Sequence, residues 1–373
     1  MKLIATMSSG FESVTAKELQ NLGYETKTEN GKVYFDGEYE DIARANLWLR
    51  SADRVKILID TFKATTFEEL FDKVHDIAWD KWLPLNAAFP IKARTVKSQL
   101  HSERDIQAIT KKAIVNKMAD VFMRRGRLPE TGATFQIETR IHKDIVEVTL
   151  DTTGESLYKR GYRIEHGAAP LKENFAAAMI MLTVWHPEDD PFMDPTTGSG
   201  TIAIEAARMA KNIAPGIKRH FMFEDFDWFD NKILPNLKEE AEAGVKKIDL
   251  DIRASDIDGS MIDVAKLNAH DAGVLHDIQF KQVAVKDLKI EGEYGTIISN
   301  PPYGQRMSDM AGVRKLYKEM GEVFSTAPTW NKYILTSDVE FEKNYGELAT
   351  KKRKLYNGSL RTDLYQYWAK RKH

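Results

Sequence analysis

The chain has 373 residues, 42% hydrophobic and 29% charged, with a formal net charge of −2. This is ordinary globular composition, enough for two or three domains, with no apolar run of about 18 residues that would span a membrane. The absence of cysteine excludes disulfides and thiolate metal sites. The nine histidines show no HExxH or other ligand spacing, so no metal is expected.

The N-terminus, Met1-Lys2-Leu3-Ile4-Ala5-Thr6, lacks a signal peptide's long apolar core and reads as a first strand. A cytoplasmic protein is the expectation. Strand and helix signals then alternate: strand Leu3–Met7, helix Phe11–Leu22 stopping at Gly23, strand Lys32–Asp36, helix Tyr39–Leu49 and strand Val55–Ala64. That order fits a small ferredoxin-like layer over residues 1–65. In the next unit, residues 66–160, helices are predicted at Thr66–Asp76 and Glu103–Phe122. Strands are predicted at Phe89–Thr95, Thr134–His142 and Ile145–Asp151, the last two as a hairpin around Lys143-Asp144.

The small net charge hides two basic stretches. Lys92 to Arg127 holds ten Lys/Arg against Glu103, Asp105 and Asp120, and Lys351 to His373 holds eight against Asp363. Each is an electrostatic footprint suited to a phosphate backbone. Arg94, Lys97, Lys111, Lys112, Lys117, Arg124 and Arg125 are the expected nucleic-acid-binding residues; Arg94 and Lys97 leave a strand, Lys111, Lys112 and Lys117 sit at near-helical spacing on the following helix, and together they form a continuous basic face.

A connector, Gly161 to Pro170, leads into a helix from about Leu171 to Trp185. From there residues 161–373 follow the doubly wound pattern, with strands near Pro191–Asp194, Ile252–Asp256, Ile278–Val283, Thr296–Asn300 and Lys332–Ser337. Two final strand-like runs, Arg353–Tyr356 and Leu364–Ala369, form a closing hairpin. The stretch Glu224–Lys247 reads as a polar insertion rich in Phe, Trp, Asp and Lys, with no assignable role.

Two motifs carry chemistry. The first is Asp194-Pro195-Thr196-Thr197-Gly198-Ser199-Gly200-Thr201, a turn from the first of these strands into a helix. Gly198 and Gly200 let backbone approach a ligand, the helix N-terminus suits a methionine carboxylate, and Asp194 suits the ammonium. On the next strand Asp256 can accept both ribose hydroxyls of an adenosine, with Ile257 packing on the adenine and Asp258 a further contact. Asp287 can accept from the adenine amino group. The dinucleotide fingerprint G-x-G-x-x-G is absent, so these residues point to S-adenosylmethionine rather than NAD.

The second motif is Asn300-Pro301-Pro302-Tyr303 at the tip of a buried strand. A base amino group is a poor nucleophile because its lone pair is conjugated into the ring. Acceptors aimed at its N–H bonds favour the pyramidal form, and Asn300 offers a side-chain carbonyl and Pro301 a backbone carbonyl. The prolines stiffen the tip, and Tyr303 offers a face on which a base stacks, worth ~1–3 kcal/mol. The expected reaction is methyl transfer to an exocyclic amine, with proximity as the main source of rate. Without cysteine no covalent intermediate through a thiolate is possible, which argues against C5-pyrimidine methylation.

These motifs, with the connector Arg160-Gly161-Tyr162-Arg163-Ile164-Glu165-His166-Gly167 continuing through Leu171-Lys172-Glu173-Asn174, resemble bacterial THUMP-domain RNA methyltransferases, most of all the group that makes N2-methylguanosine in 23S ribosomal RNA. The resemblance covers nearly the whole chain. It implies an α/β fold: a C-terminal Rossmann-like class I methyltransferase domain with a seven-stranded mixed sheet, and an N-terminal α+β ferredoxin-like/THUMP module that grips RNA. It also implies that Leu171-Lys172-Glu173-Asn174 opens a helix flanking the cofactor. Thr197 stands where relatives often have Cys. The expected partner is 23S rRNA or a large-subunit precursor, with no membrane. An adenine-N6 methyltransferase on RNA or DNA would use the same acceptor tip. A noncatalytic RNA-binding or ribosome-assembly factor would keep the basic module while the cofactor site decayed, and Asp194, Gly198, Gly200, Asp256 and Asn300 are all intact.

Overall fold

The computed structural model describes residues 1–124, 127–163, 171–303, 309–358 and 360–369. Arg125, residues 164–170 of the connector and Gly304 lie outside them.

The N-terminal half comprises β1 (Lys2–Thr6), α1 (Glu12–Asn21), β2 (Thr26–Glu29), β3 (Lys32–Asp36), α2 (Tyr39–Trp48), β4 (Arg54–Lys63), α3 (Phe67–Asp76), β5 (Ile91–Val96), α4 (Glu103–Val121), β6 (Ile137–His142) and β7 (Ile145–Asp151). The strands make one seven-stranded sheet in the order β2-β3-β1-β4-β7-β6-β5. The ferredoxin-like layer and the following unit therefore share a sheet, joined where β4 pairs antiparallel with β7 from Lys56↔Asp151 to Lys63↔Ile145. Alternation along β1 and β3 puts Leu3, Ala5, Val33 and Phe35 into the core. The sequence reading missed β2: Thr26-Lys27-Thr28-Glu29 carries no apolar residue because it is an edge strand paired only to β3.

The C-terminal half comprises α5 (Glu173–Met181), β8 (Phe192–Asp194), α6 (Thr201–Ala210), α7 (Ile233–Ala243), β9 (Ile252–Asp256), α8 (Gly259–Asp271), β10 (Ile278–Gln282), β11 (Thr296–Ser299), α9 (Met310–Ser325), β12 (Asn331–Thr336), α10 (Phe341–Tyr345), β13 (Lys351–Asn357) and β14 (Leu360–Tyr367). Its seven-stranded sheet runs β10-β9-β8-β11-β12-β14-β13. The strands from β10 to β12 are parallel and the closing hairpin is antiparallel, the mixed sheet expected of a class I methyltransferase. Strands β8 and β11 are buried at every residue, as parallel strands covered on both faces must be. Chain order reverses between them, and their carboxyl ends open the crevice where such sheets bind ligands. Helix α5 stops at Met181, short of the expected Trp185. Helix α9, which the sequence reading did not name, buries Val313, Tyr317, Met320 and Phe324 at helical spacing.

The insertion buries its apolar residues: Phe226 and Phe229 are buried, as are Phe221 and Phe223 just before it, and α7 buries Leu234, Leu237 and Ala241. Phe226 stacks on Phe135 of the N-terminal half with centroids 4.4 Å apart, and Trp228 Nε1 donates to the Trp82 carbonyl at 3.0 Å. Outside this segment Phe11 meets Phe175 edge-on at 4.7 Å. Such pairs contribute roughly 0.5–1.5 kcal/mol each beyond area burial, so the segment packs one half onto the other. Among the described residues no helix is long and apolar enough to cross a membrane.

Candidate active site

The turn after β8 is anchored on four sides. Thr197 Oγ1 donates to Asp194 Oδ2 at 2.8 Å. Thr196 Oγ1 and Ser299 Oγ, at the end of β11, lie 2.7 Å apart. Gly198 N donates to Asp256 Oδ2 at 2.9 Å, and Asn268 Nδ2 of α8 donates to Ser199 O at 2.9 Å. Gly198 and Gly200 have φ of 51° and 87°, a region open to glycine. They differ in what lies before them. A Cβ on Gly200 would sit 3.0 Å from Ala265 Cβ, whereas one on Gly198 would meet nothing within 4 Å among the described residues. Gly200 thus serves helix packing, and Gly198 is unobstructed among the described residues.

Asp194 is fully buried, and among the described residues its Oδ1 has no partner. Burial pushes its carboxyl up to about 7. A buried acid with an orphaned oxygen costs free energy unless a cation or donor meets it, and an ammonium group does both. Asp256 is half-buried at the end of β9. Its two oxygens accept from Gly198 N and, at 3.0 Å, from Asp258 N. Each keeps a lone pair for a further donor. Ile257 is 71% exposed, an apolar side chain standing uncovered beside that carboxylate. The Asp258 carboxylate is occupied as the N-cap of α8, accepting from Ser260 N at 2.9 Å, and these bonds hold its pKa below the usual carboxylate range. Asp287 is exposed in a single turn and lines a hollow of about 380 Å³ with Arg253, Ser255 and Lys281.

The tip of β11 lies beside this turn. Pro301 is buried, Pro302 exposed, and Asn300 and Tyr303 half-buried. The Tyr303 hydroxyl donates to Asn300 Oδ1, and burial holds the Tyr303 phenol well above its usual range. Tyr317 of α9 donates to the Pro302 carbonyl at 3.3 Å and lies 2.8 Å from Thr336 Oγ1. Its position was not foreseen, because α9 was not.

The basic residues divide. Lys111 donates to Glu130 at 2.7 Å and to the Phe89 carbonyl at 3.1 Å, and its ammonium lies 3.4 Å from the Phe89 ring centroid. Lys112 is exposed, directed toward Phe71 of α3, and Lys117 is half-buried. The continuous face expected of Lys111, Lys112 and Lys117 does not form. Adjacent residues diverge by about 100° around a helix, and Lys111 is engaged by Glu130 in a partly exposed ion pair. Arg94, Lys97 and Arg124 are exposed, Arg94 only 3.8 Å from Glu103. In the C-terminal stretch, Arg353 donates to the Gly10 carbonyl and Ser13 Oγ and Lys352 pairs with Glu342, so part of that charge holds the final hairpin in place.

Comparison with known proteins places this geometry. Residues 160–366 match the model described as RMKL-like, methyltransferase domain, residues 2–56 the RlmL ferredoxin-like domain and residues 64–151 the THUMP domain. The chain belongs to the RMKL-like methyltransferase family. It is 49% identical over 373 residues to the "Putative RNA methyltransferase YpsC" of Bacillus subtilis (strain 168), covering 99% of this chain and 96% of that protein. It is 32% identical over 367 residues to the "Ribosomal RNA large subunit methyltransferase K/L" of Shewanella baltica (strain OS195), covering 96% of this chain and 52% of that one. The chain thus spans about half the length of the K/L relatives. The crystal structure of SMU.472 complexed with SAH superimposes with a TM-score of 0.94 at 50% identity, covering 100% of this chain and 99% of that one. This RMKL-like protein is an S-adenosylmethionine-dependent methyltransferase with a ferredoxin-like/THUMP N-terminal half.

Proposed function

We propose that the protein methylates the exocyclic N2 amino group of a guanine in 23S rRNA. The observation that carries this reading is the Thr196–Ser299 contact of 2.7 Å, which fastens the Asp194–Gly200 turn to the strand that presents Asn300. In this reading Asp194 meets the methionine ammonium, Thr196, Thr197, Gly198 and Gly200 shape the methionine end, Asp256 accepts the ribose hydroxyls, Ile257 packs on adenine, and Asp287 accepts from the adenine amine. Among the described residues, the Asp194 Oδ1 without a partner and the unobstructed Gly198 suit these roles. Asp258, committed to α8, contributes through its helix cap. Bound S-adenosylmethionine supplies the electrophilic methyl group.

The chain's own residues prepare the nucleophile. The target base is unstacked, at a few kcal/mol and least for unpaired RNA. Asn300 and the Pro301 carbonyl accept from its amino group, Tyr303 provides the stacking face, and Pro302 keeps the tip stiff. Holding nitrogen in line with the methyl carbon supplies the rate. The carbonyls are too weakly basic to keep the departing proton, which passes to solvent.

The name of the K/L relatives supports a large-subunit RNA. In this chain residues 1–65 and 66–160 would form the gripping module, with Arg94, Lys97, Lys112 and Arg124 as its exposed cations, and residues 161–373 the catalytic domain, working in the cytoplasm. The test is label transfer from methyl-labelled S-adenosylmethionine to unmodified large-subunit RNA, small-subunit RNA and DNA in parallel. Label in large-subunit RNA alone is expected; label in DNA overturns the reading.

A further inference from the structure

The connector motif has a mechanical role that the reaction scheme does not use. We infer that Arg163 is a positioning residue that sets cofactor affinity by bracing the cofactor turn through Thr201, an inference that rests on the placement of the cofactor at the Asp194–Gly200 turn.

Thr201 is the first residue of α6, directly after the left-handed Gly200. Arg163 Nη2 donates to Thr201 Oγ1 at 2.7 Å and to the Leu171 carbonyl at 2.8 Å. Its Nε lies 3.0 Å from Glu173 Oε1, an ion pair whose side chains are 14% and 4% exposed, though this nitrogen is not aligned for a hydrogen bond. Thr201 Oγ1 in turn lies 3.4 Å from Ser199 Oγ, inside the turn. One guanidinium therefore joins the start of α5, the start of α6 and the glycine turn.

The connector is itself bolted to the N-terminal half. Arg160 Nη2 donates to the Arg50 carbonyl at 2.5 Å and Nη1 to the Leu157 carbonyl at 2.7 Å. Tyr162 donates to Glu205 Oε1 at 2.9 Å, and Glu205 lies one turn along α6 from Thr201. Arg160 and Glu205 are 1% and 0% exposed as a pair. Burying such charges adds little net stability, and here it fixes the orientation of α6 against the N-terminal half. Arg163 completes that bracing at the end of the helix nearest the cofactor.

Lysine cannot replace the fork. A single ammonium can sit beside Glu173 or take the place of Nη2, but lacks the planar spread by which Nη2 serves Thr201 and Leu171 while Nε faces Glu173. S-adenosylhomocysteine binding is measured by calorimetry on the full chain for Arg163→Lys, for Thr201→Val, which removes only the hydroxyl, and for the double variant. Each single change should weaken binding about 5- to 20-fold, and the double variant should be no weaker than the worse single, because both remove one interaction. The melting temperature of Thr201→Val should stay near wild type, which separates bracing from loss of fold. Wild-type affinity in both singles, or losses that simply multiply in the double variant, would overturn the inference. Asp256→Ala is measured alongside. If it binds S-adenosylhomocysteine like wild type, the cofactor placement itself fails; if it loses binding while the two singles keep theirs, only the role of Arg163 fails.

Discussion

The Tyr303 hydroxyl donates a hydrogen bond to the side-chain carbonyl of Asn300, three residues back along the same rigid tip. That bond fixes which way the Asn300 amide points, so the acceptor is oriented before any base arrives. It also gives the ring and the hydroxyl of Tyr303 separable effects. Tyr303→Phe keeps the ring and should lower turnover only a few-fold. Tyr303→Ala loses a stacking surface worth ~1–3 kcal/mol and should cut kcat/KM for RNA roughly 10- to 100-fold. Steady-state kinetics on both variants checks this, and equal losses would contradict it.

In the proposed mechanism Asn300 acts on the amine in the transition state, and groups of that kind typically contribute about a hundredfold or more when removed. Asn300→Ala should therefore lower kcat at least 100-fold while S-adenosylhomocysteine affinity, measured by calorimetry, stays within about threefold of wild type. An active Asn300→Ala enzyme would remove the mechanism.

Asp194 predicts a pH dependence of cofactor binding. Without a cation the buried carboxyl is pushed up to about 7, so below that pH it is protonated. An ammonium partner favours the ionised form and lowers the pKa in the complex. Binding therefore expels a proton in acid, and affinity should fall as pH drops below about 7, by at most tenfold per unit, and level off above it. Asp194→Asn should bind more weakly and lose the slope. Titrations between about pH 5.5 and 8.5 check the sign; affinity that rises toward acid would contradict it.

The basic residues should separate in a filter-binding assay. Lys112→Glu and Arg124→Glu reverse exposed charges and should weaken RNA binding and lower its salt dependence. Lys111→Glu places a like charge beside Glu130 and should lower the melting temperature as well. Loss of RNA affinity from Lys111→Glu with the melting point unchanged would return Lys111 to the RNA face.

Much of this was legible in the sequence where local chemistry and long-range packing agree. Thr296–Ser299 followed by Asn-Pro-Pro-Tyr reads as a buried strand and its tip because apolar run and breaker coincide. The Asp194–Thr201 turn reads itself through its glycines. What was hidden depends on partners far along the chain. Strand β2 is polar and exists only by pairing with β3. The aromatic segment around Phe226 is understood only from Phe135, more than eighty residues earlier. The bonds from Lys111 to Glu130 and from Arg353 to Gly10 tie cations that look free in the sequence to partners elsewhere in the chain. The Asn300–Tyr303 bond was within reach, since three residues separate the partners, but only geometry shows that hydroxyl and carbonyl meet.

The most direct test of the central claim is the identity of the methylated nucleoside. Unmodified 23S rRNA, incubated with the protein and methyl-labelled S-adenosylmethionine, is digested and its nucleosides resolved by mass spectrometry. The account predicts labelled N2-methylguanosine. Labelled N6-methyladenosine would contradict the proposed substrate while keeping the acceptor-tip chemistry, and no labelled nucleoside in a protein that binds the cofactor would contradict 23S rRNA as the target.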